Sequence, residues 1–222
     1  MLLTPLLSLL APHECLGCGT EGFLICANCK KSLKPAVERC YSCHKSMSGG
    51  RTCPSCRRSS SLYSVRAAVR YEGAAKDLIW KLKFGRARAA AAEASRLLGD
   101  YTRIPDSGTA IITHAPTATN RIRRRGYDQA ALIAKAFAQN NGQPYTPLLA
   151  RLGTHKQVGA SRMVRSSQLQ EAFRPIHEQR IRGAHIILID DVVTTGATLQ
   201  AAAAALREAG AKRVEAIVFA QA

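Results

Sequence analysis

Two adjacent carboxylates, Asp190 and Asp191, stand between four aliphatic residues, Ile186-Ile187-Leu188-Ile189, and a small-residue stretch, Val192-Val193-Thr194-Thr195-Gly196-Ala197-Thr198. Ionised carboxylates only accept hydrogen bonds, so a neighbouring pair suits a vicinal diol such as the 2′- and 3′-hydroxyls of a ribose. Three threonine hydroxyls around a glycine, joined by the free backbone N–H groups of a helix start, suit a phosphate. The flanking elements are what bring these groups together. The aliphatic run reads as a buried parallel strand, and the alanine-rich run to Gly210 reads as a helix with a glycine stop. The loop therefore stands at the carboxyl end of a strand. A plain strand-turn-helix with an Asp or Thr cap would need neither the second Asp nor three threonines.

A second set of chemistry-bearing residues lies far upstream. All eight cysteines fall as four Cys-x-x-Cys pairs: Cys15/Cys18, Cys26/Cys29, Cys40/Cys43 and Cys53/Cys56. Two thiolates on one tight turn reach a single ion, and two such pairs complete a tetrahedral zinc site with Zn–S distances of about 2.3 Å. Gly17, Gly19, Asn28 and Pro54 supply the permissive backbone of such turns. Two structural zinc ions are expected, with no open position for catalysis. Sequential pairing gives two zinc ribbons and alternating pairing gives a cross-brace; the shorter loops favour ribbons. His13 and His44 stand nearby and could replace a thiolate, but four cysteines per ion favour them as bystanders. Disulfides would call for an exported chain, and a thioredoxin-type redox pair would account for one of the four.

The 222 residues suffice for a domain with a real core plus a small module. The formal charge is +17, and eight thiolates with two zinc ions would lower it to about +13. That excess favours a polyanionic partner such as nucleic acid, anionic lipid or a pyrophosphorylated sugar. The apolar start at Met1–Leu10 has no preceding Lys or Arg, is broken by Pro5, and is shorter than the ~20 residues of a membrane span. It is expected to form a short packed helix, with no membrane span and a cytoplasmic location.

Arg57-Arg58-Ser59-Ser60-Ser61 is a polar break, dividing residues 1–58, a zinc-binding module, from residues 63–222. Loss of one thiolate is therefore expected to spare the second part. Beyond the break, residues 63–71 read as a half-exposed strand, 74–84 and 87–98 as helices, Thr109–Thr113 as a buried strand, residues 117–126 as a loop and 127–139 as a helix. Buried strands alternating with helices mark an α/β domain with a mostly parallel sheet, whose ligand lies over the strand carboxyl ends.

The stretch from Ile186 to Thr198 resembles the phosphoribosyl pyrophosphate (PRPP) motif of type I phosphoribosyltransferases, an aliphatic strand leading into Asp-Asp-x-x-Thr-Thr-Gly-x-Thr. More narrowly, Pro116, Arg121, Arg124-Arg125-Gly126-Tyr127 and Gln129 are similar to the Pro-x(4)-Arg-x-x-Arg-Arg-Gly-Phe-Asn-Gln segment of the ComF/GntX family, with Tyr127 for Phe and Asp128 for Asn. The cysteine pairs, Tyr71-Glu72-Gly73, Leu82-Lys83-Phe84, and Arg151, Gln157, Arg162 and Phe173 extend the likeness over nearly the whole chain. That family's Arg-x-x-Asn stands here as Arg165-Ser166-Ser167-Gln168.

The resemblance implies a type I phosphoribosyltransferase fold with a small N-terminal zinc-ribbon module. Asp190 and Asp191 would be the catalytic carboxylates holding the ribose hydroxyls, and Thr194 to Thr198 the 5′-phosphate cradle. The loop His114-Ala115-Pro116-Thr117 would face the pyrophosphate and its Mg²⁺, under a basic hood at Arg121, Arg124 and Arg125. Stabilising the leaving group is an electrostatic task that needs no nucleophile. Three functions follow from the resemblance: a competence protein that handles single-stranded DNA during natural transformation, a phosphoribosyltransferase of nucleotide salvage, and a PRPP sensor without turnover. The chain has no Gly-x(4)-Gly-Lys-[Ser/Thr] loop, so a DNA-translocating helicase would be a separate partner.

Overall fold

A computed structural model describes residues 13–85, 87–102, 104, 110–152 and 172–222. The strands are β1 (Val65–Arg70), β2 (Ile111–His114), β3 (Leu149–Arg151), β4 (Phe173–Pro175), β5 (His185–Val193) and β6 (Arg213–Gln221). The helices are α1 (Ala27–Lys31), α2 (Pro54–Arg57), α3 (Gly73–Phe84), α4 (Ala89–Tyr101), α5 (Thr119–Arg125), α6 (Gln129–Asn140), α7 (Glu178–Ile181) and α8 (Ala197–Glu208).

A parallel sheet in the order β1-β6-β5-β2 forms the centre, and β3 pairs with β4 antiparallel beside it. Strand side chains alternate between faces, and here both faces are covered. Ile187 and Ile189 pack with Ile217, Phe219 and the buried sides of α3, α4 and α6, including Leu78, Leu82, Leu98 and Phe137. Ile186 and Leu188 pack with Val218 and with Leu199, Ala202 and Leu206 of α8. A strand covered on both faces favours apolar side chains, and β5 is apolar from Ile186 to Ile189 before it turns polar at Asp190.

The observed elements extend and correct the pattern. β5 continues through both carboxylates to Val193, because its outer half pairs with β6 up to Gln221. Residues 119–125, expected as loop, form α5, since its arginines are good helix formers and Gly126 closes the turn at φ 83 with its N–H on the Ile122 carbonyl. Of the two partners of β5, β2 answers to the buried strand expected at Thr109–Thr113, while β6 had no counterpart in the sequence pattern. Thr109, the Met1–Leu10 helix, and Gln157, Arg162 and Arg165–Gln168 lie outside the described residues.

The cysteine-bearing segment packs onto the sheet. Leu24, Ile25 and Leu33 join one core cluster, and Tyr41 and Leu62 the other. The Ala36 N–H donates to the Ala68 carbonyl, and the Arg70 N–H to the Lys34 carbonyl, so this segment covers the open edge of β1. The serine-rich stretch is docked as well: the Ser60 hydroxyl and the Ser61 N–H both reach Gln200 Oε1 on α8 at 3.2 Å. Among the described residues no helix is long and apolar enough to cross a membrane.

Candidate functional site

Where β5 ends and α8 begins, a cavity of ≈ 350 Å³ opens over the carboxyl ends of the strands. Its size falls in the range of small-ligand sites. Asp190, Asp191, Val192 and Thr198 form one wall, Ala115 to Ala118 another, and Lys83, Arg121, Arg125 and Arg151 bring four cations to it. Alternation along β5 turns Asp191 toward α3, where Lys83 Nζ stands 2.9 Å from Asp191 Oδ1. Asp191 is 4% exposed, and its other oxygen meets no donor among the described residues. That acceptor is free for a ligand hydroxyl.

Asp190 faces the opposite side of the strand, and its Oδ1 accepts the Asp191 N–H at 2.8 Å. Burial, reinforced by the Asp191 charge, pushes its carboxyl from 3.8 up to about 8, against the pull of the Asp191 N–H and Lys83. An unfolded Asp ionises near ~3.9. Between the two values the folded chain holds a proton that the unfolded chain has lost, so stability falls as pH rises from about 4 toward about 8. Asp190→Asn, which cannot ionise, is expected to raise the melting temperature of the ligand-free protein at the top of that window. Thermal melts across the pH range check this, and a variant whose stability fell as steeply as the parent's would assign the titration to another group.

Beyond the carboxylates lies the stretch expected to cradle a phosphate, which turns here into α8. Gly196 takes φ 75 at the α8 N-cap, and among the described residues the N–H groups of Thr195, Gly196 and Thr198 meet no acceptor. Thr194 and Thr195 are exposed, while Ala197 has only a long 3.4 Å bond to Thr195 Oγ1. A Cβ at Gly196 would come within 2.4 Å of the Tyr41 ring, whose hydroxyl donates to Gln200 Oε1 at 2.8 Å. Tyr41 lies between two cysteines of the N-terminal segment, so that segment forms the backing of the cradle.

Not every expected residue lines the cavity. His114 is buried beneath it, with Nδ1 3.0 Å from the Tyr145 hydroxyl and Nε2 3.8 Å from Asp128, and burial lowers its pKa despite that carboxylate. Asp128 accepts from the Thr117 N–H at 2.8 Å and caps α6 through the Ala130 and Ala131 N–H groups, so it ties the loop down where the family segment has Asn. Tyr127, replacing Phe, adds a 2.6 Å hydrogen bond to the Leu82 carbonyl. Arg125 is buried and donates to Gln129 at 2.7 Å, whereas Arg124 turns out toward Phe84. Of the cations, Lys83 and Arg151 appeared in the sequence only as parts of the family likeness. Arg151 Nη1 donates to the Pro116 carbonyl at 3.3 Å and so braces the loop.

The cysteines form two sequential sets, Cys15/Cys18/Cys26/Cys29 and Cys40/Cys43/Cys53/Cys56, with ligand atoms within 4.8 Å of one another in each; His13 and His44 belong to neither. Sγ–Sγ separations of 3.7 Å for Cys18–Cys26 and 3.5 Å for Cys43–Cys53 compare with the ~3.8 Å edge of a tetrahedron built on ~2.3 Å metal–sulfur bonds. Burial raises the Cys15 thiol, yet N–H donors from Cys26, Gly17 and Cys18 bring it down to about 6, while the neighbouring thiols of Cys18, Cys15 and Cys26 push Cys29 up to about 12. Four thiolates this close need a cation to ionise together. Each set could hold one structural metal ion.

Residues 128–222 match the phosphoribosyl transferase domain family. The chain is 30% identical over 203 residues to the DNA utilization protein YhgH of Salmonella typhi, covering 86% of this chain and 87% of that one. The chain belongs to the ComF/GntX family. A second member, the competence protein ComFC of Bacillus subtilis (strain 168), is 29% identical over 201 residues, covering 80% of this chain and 81% of that one. Among solved structures, the glutamine PRPP amidotransferase from B. subtilis overlies 59% of this chain and 26% of its own length, at 17% identity and a TM-score of 0.43. The family match at residues 128–222 and the parallel sheet give the ComF/GntX chain a type I phosphoribosyltransferase fold, with two four-cysteine clusters at its N-terminal end.

Proposed function

We propose that this chain binds PRPP with Mg²⁺ in the cavity at the end of β5 and handles single-stranded DNA during DNA uptake. What carries the reading is one arrangement: Asp190, Asp191 and Thr198 line a cavity that also holds Lys83, Arg121, Arg125 and Arg151. Paired acceptors, a cradle of N–H groups and four cations match in turn a ribose diol, a 5′-phosphate and a pyrophosphate. Val192, Val193 and Ala197 complete the binding stretch, and Ala115 to Thr117 face the pyrophosphate above the buried His114. Mg²⁺ would supply further charge neutralisation for the pyrophosphate, beside Lys83, Arg121, Arg125 and Arg151.

The family supports the DNA role, since its members named above include a competence protein and a DNA utilization protein. The excess of cations supports it independently. A separate DNA-translocating helicase would supply the motor. Zinc is the metal that suits all-thiolate, four-coordinate structural sites, two ions per chain. We place the zinc-binding part at residues 1–58 and the phosphoribosyltransferase-type part at 63–222.

Calorimetry with Mg²⁺ and PRPP is expected to give saturable binding. No heat at millimolar ligand would mark the motif as vestigial and overturn the reading. With binding established, pyrophosphate release in the presence of each nucleobase separates a transferase from a PRPP-binding protein that does not turn over.

A further inference from the structure

The helix that delivers Lys83 to the cavity also exposes two aromatic side chains, Trp80 (57% exposed) and Phe84 (52% exposed). They stand one helical turn apart, with ring centroids separated by 5.8 Å and planes tilted by 47°. Two guanidinium groups lie over the Phe84 ring, Arg125 at 5.6 Å and Arg124 at 5.9 Å from its centroid. Arg125 is at the same time a wall of the sugar-phosphate cavity, so the aromatic pair borders the cavity mouth. Lys76, Arg121 and Arg123 are exposed nearby in the chain on α3 and α5, and Asp77 is the acid among the exposed residues of α3.

Flat apolar faces set among cations match a particular chemistry. A purely apolar partner would strand the guanidinium charges without counter-ions, and a duplex hides its base faces. A single-stranded polyanion offers both complements, bases to the rings and phosphates to the arginines.

We infer that Trp80 and Phe84 form a base-stacking step for single-stranded DNA at the mouth of the PRPP cavity, with Arg123 and Arg124 holding the adjoining phosphates. The inference rests on the DNA-handling reading above and specifies where the strand runs. It places the polymer and the small ligand side by side, joined through Arg125.

Trp80 is the sole tryptophan of the chain, so its fluorescence reports on this surface alone. Titrating the full-length protein with a short oligothymidylate is expected to quench that emission, whereas an abasic oligomer of equal length should bind more weakly and without quenching. Trp80→Ala is expected to weaken oligothymidylate binding about fivefold to a hundredfold, and Trp80→Phe to retain most of it. Arg123→Ala and Arg124→Ala should each flatten the slope of log K against log salt by about 0.7, which Trp80→Ala should leave unchanged. Both rings are exposed, so circular dichroism should show the variants folded. Binding that survives Trp80→Ala undiminished and leaves the emission constant would overturn the stacking step while the DNA reading stands. A change of oligomeric state in place of a change in DNA affinity would overturn it in favour of a self-contact. Absence of any single-strand binding would overturn both readings.

Discussion

Replacing Asp190 and Asp191 together by Asn is expected to weaken PRPP binding on the order of a hundredfold or more. Charge-assisted hydrogen bonds contribute about 1.5–3 kcal/mol each, and every ~1.4 kcal/mol is a factor of ten. The two single changes should differ in what they do to the fold. Asp191 holds Lys83 at 2.9 Å with both side chains largely buried, so Asp191→Asn leaves a partly buried ammonium without its counter-ion. Asp190 is the carboxyl that burial resists ionising, so Asp190→Asn relieves a strain on the ligand-free protein. Calorimetry with Mg²⁺ and PRPP near pH 8, paired with thermal melts, separates binding from stability. A double variant that folds and binds within a few-fold of the parent would remove these carboxylates from the site.

Removing metal from the second cysteine set is expected to melt the loop around Cys40 and to weaken PRPP binding with it. Structural zinc contributes about 10–16 kcal/mol of apparent binding free energy in small zinc modules, comparable with the ~5–15 kcal/mol stability of a whole domain. Cys40 is fully buried and its neighbour Tyr41 packs on Gly196. Loss of that ring takes away the backing of the proposed phosphate cradle and its hydrogen bond to Gln200. The polar break at Arg57–Ser61 led to the opposite expectation for a lost thiolate; the docking of Tyr41, Ser60 and Ser61 on α8 is the reason for the change. Elemental analysis should first give two zinc ions per chain. Then Cys40→Ser, or chelation, should lower both the melting temperature and the PRPP affinity, and unaltered PRPP binding in metal-depleted protein would uncouple the two sites.

The parts of this chain that could be read from its sequence are those whose chemistry is contiguous. The Asp190–Thr198 stretch and the four cysteine pairs each place their groups within a few residues, so local geometry alone brings them together. Sequential pairing of the cysteines was legible for the same reason, because short loops keep each set of four local.

What the tertiary structure decided depends on contacts between distant segments. Lys83, Arg125 and Arg151 come from three elements, and only the sheet's carboxyl edge assembles them around Asp190 and Asp191. The strand β6 is the sharpest case. It is the central partner of β5, yet it carries Glu215 in its buried run, a charge that breaks the apolar pattern of a covered strand. Burial alone would raise that carboxyl, but hydrogen bonds from His185 and Ser64 and the charges of Arg213 and Arg66 lower it and make the burial tolerable. Those partners lie on β1 and the residue just before it, on β5 and on β6 itself, so the ionised glutamate is stable only once the strands have paired. The sequence alone determined the groups proposed to bind ligand and their local turns; which cations face them, and that the cysteine segment packs behind Gly196, follow from long-range packing.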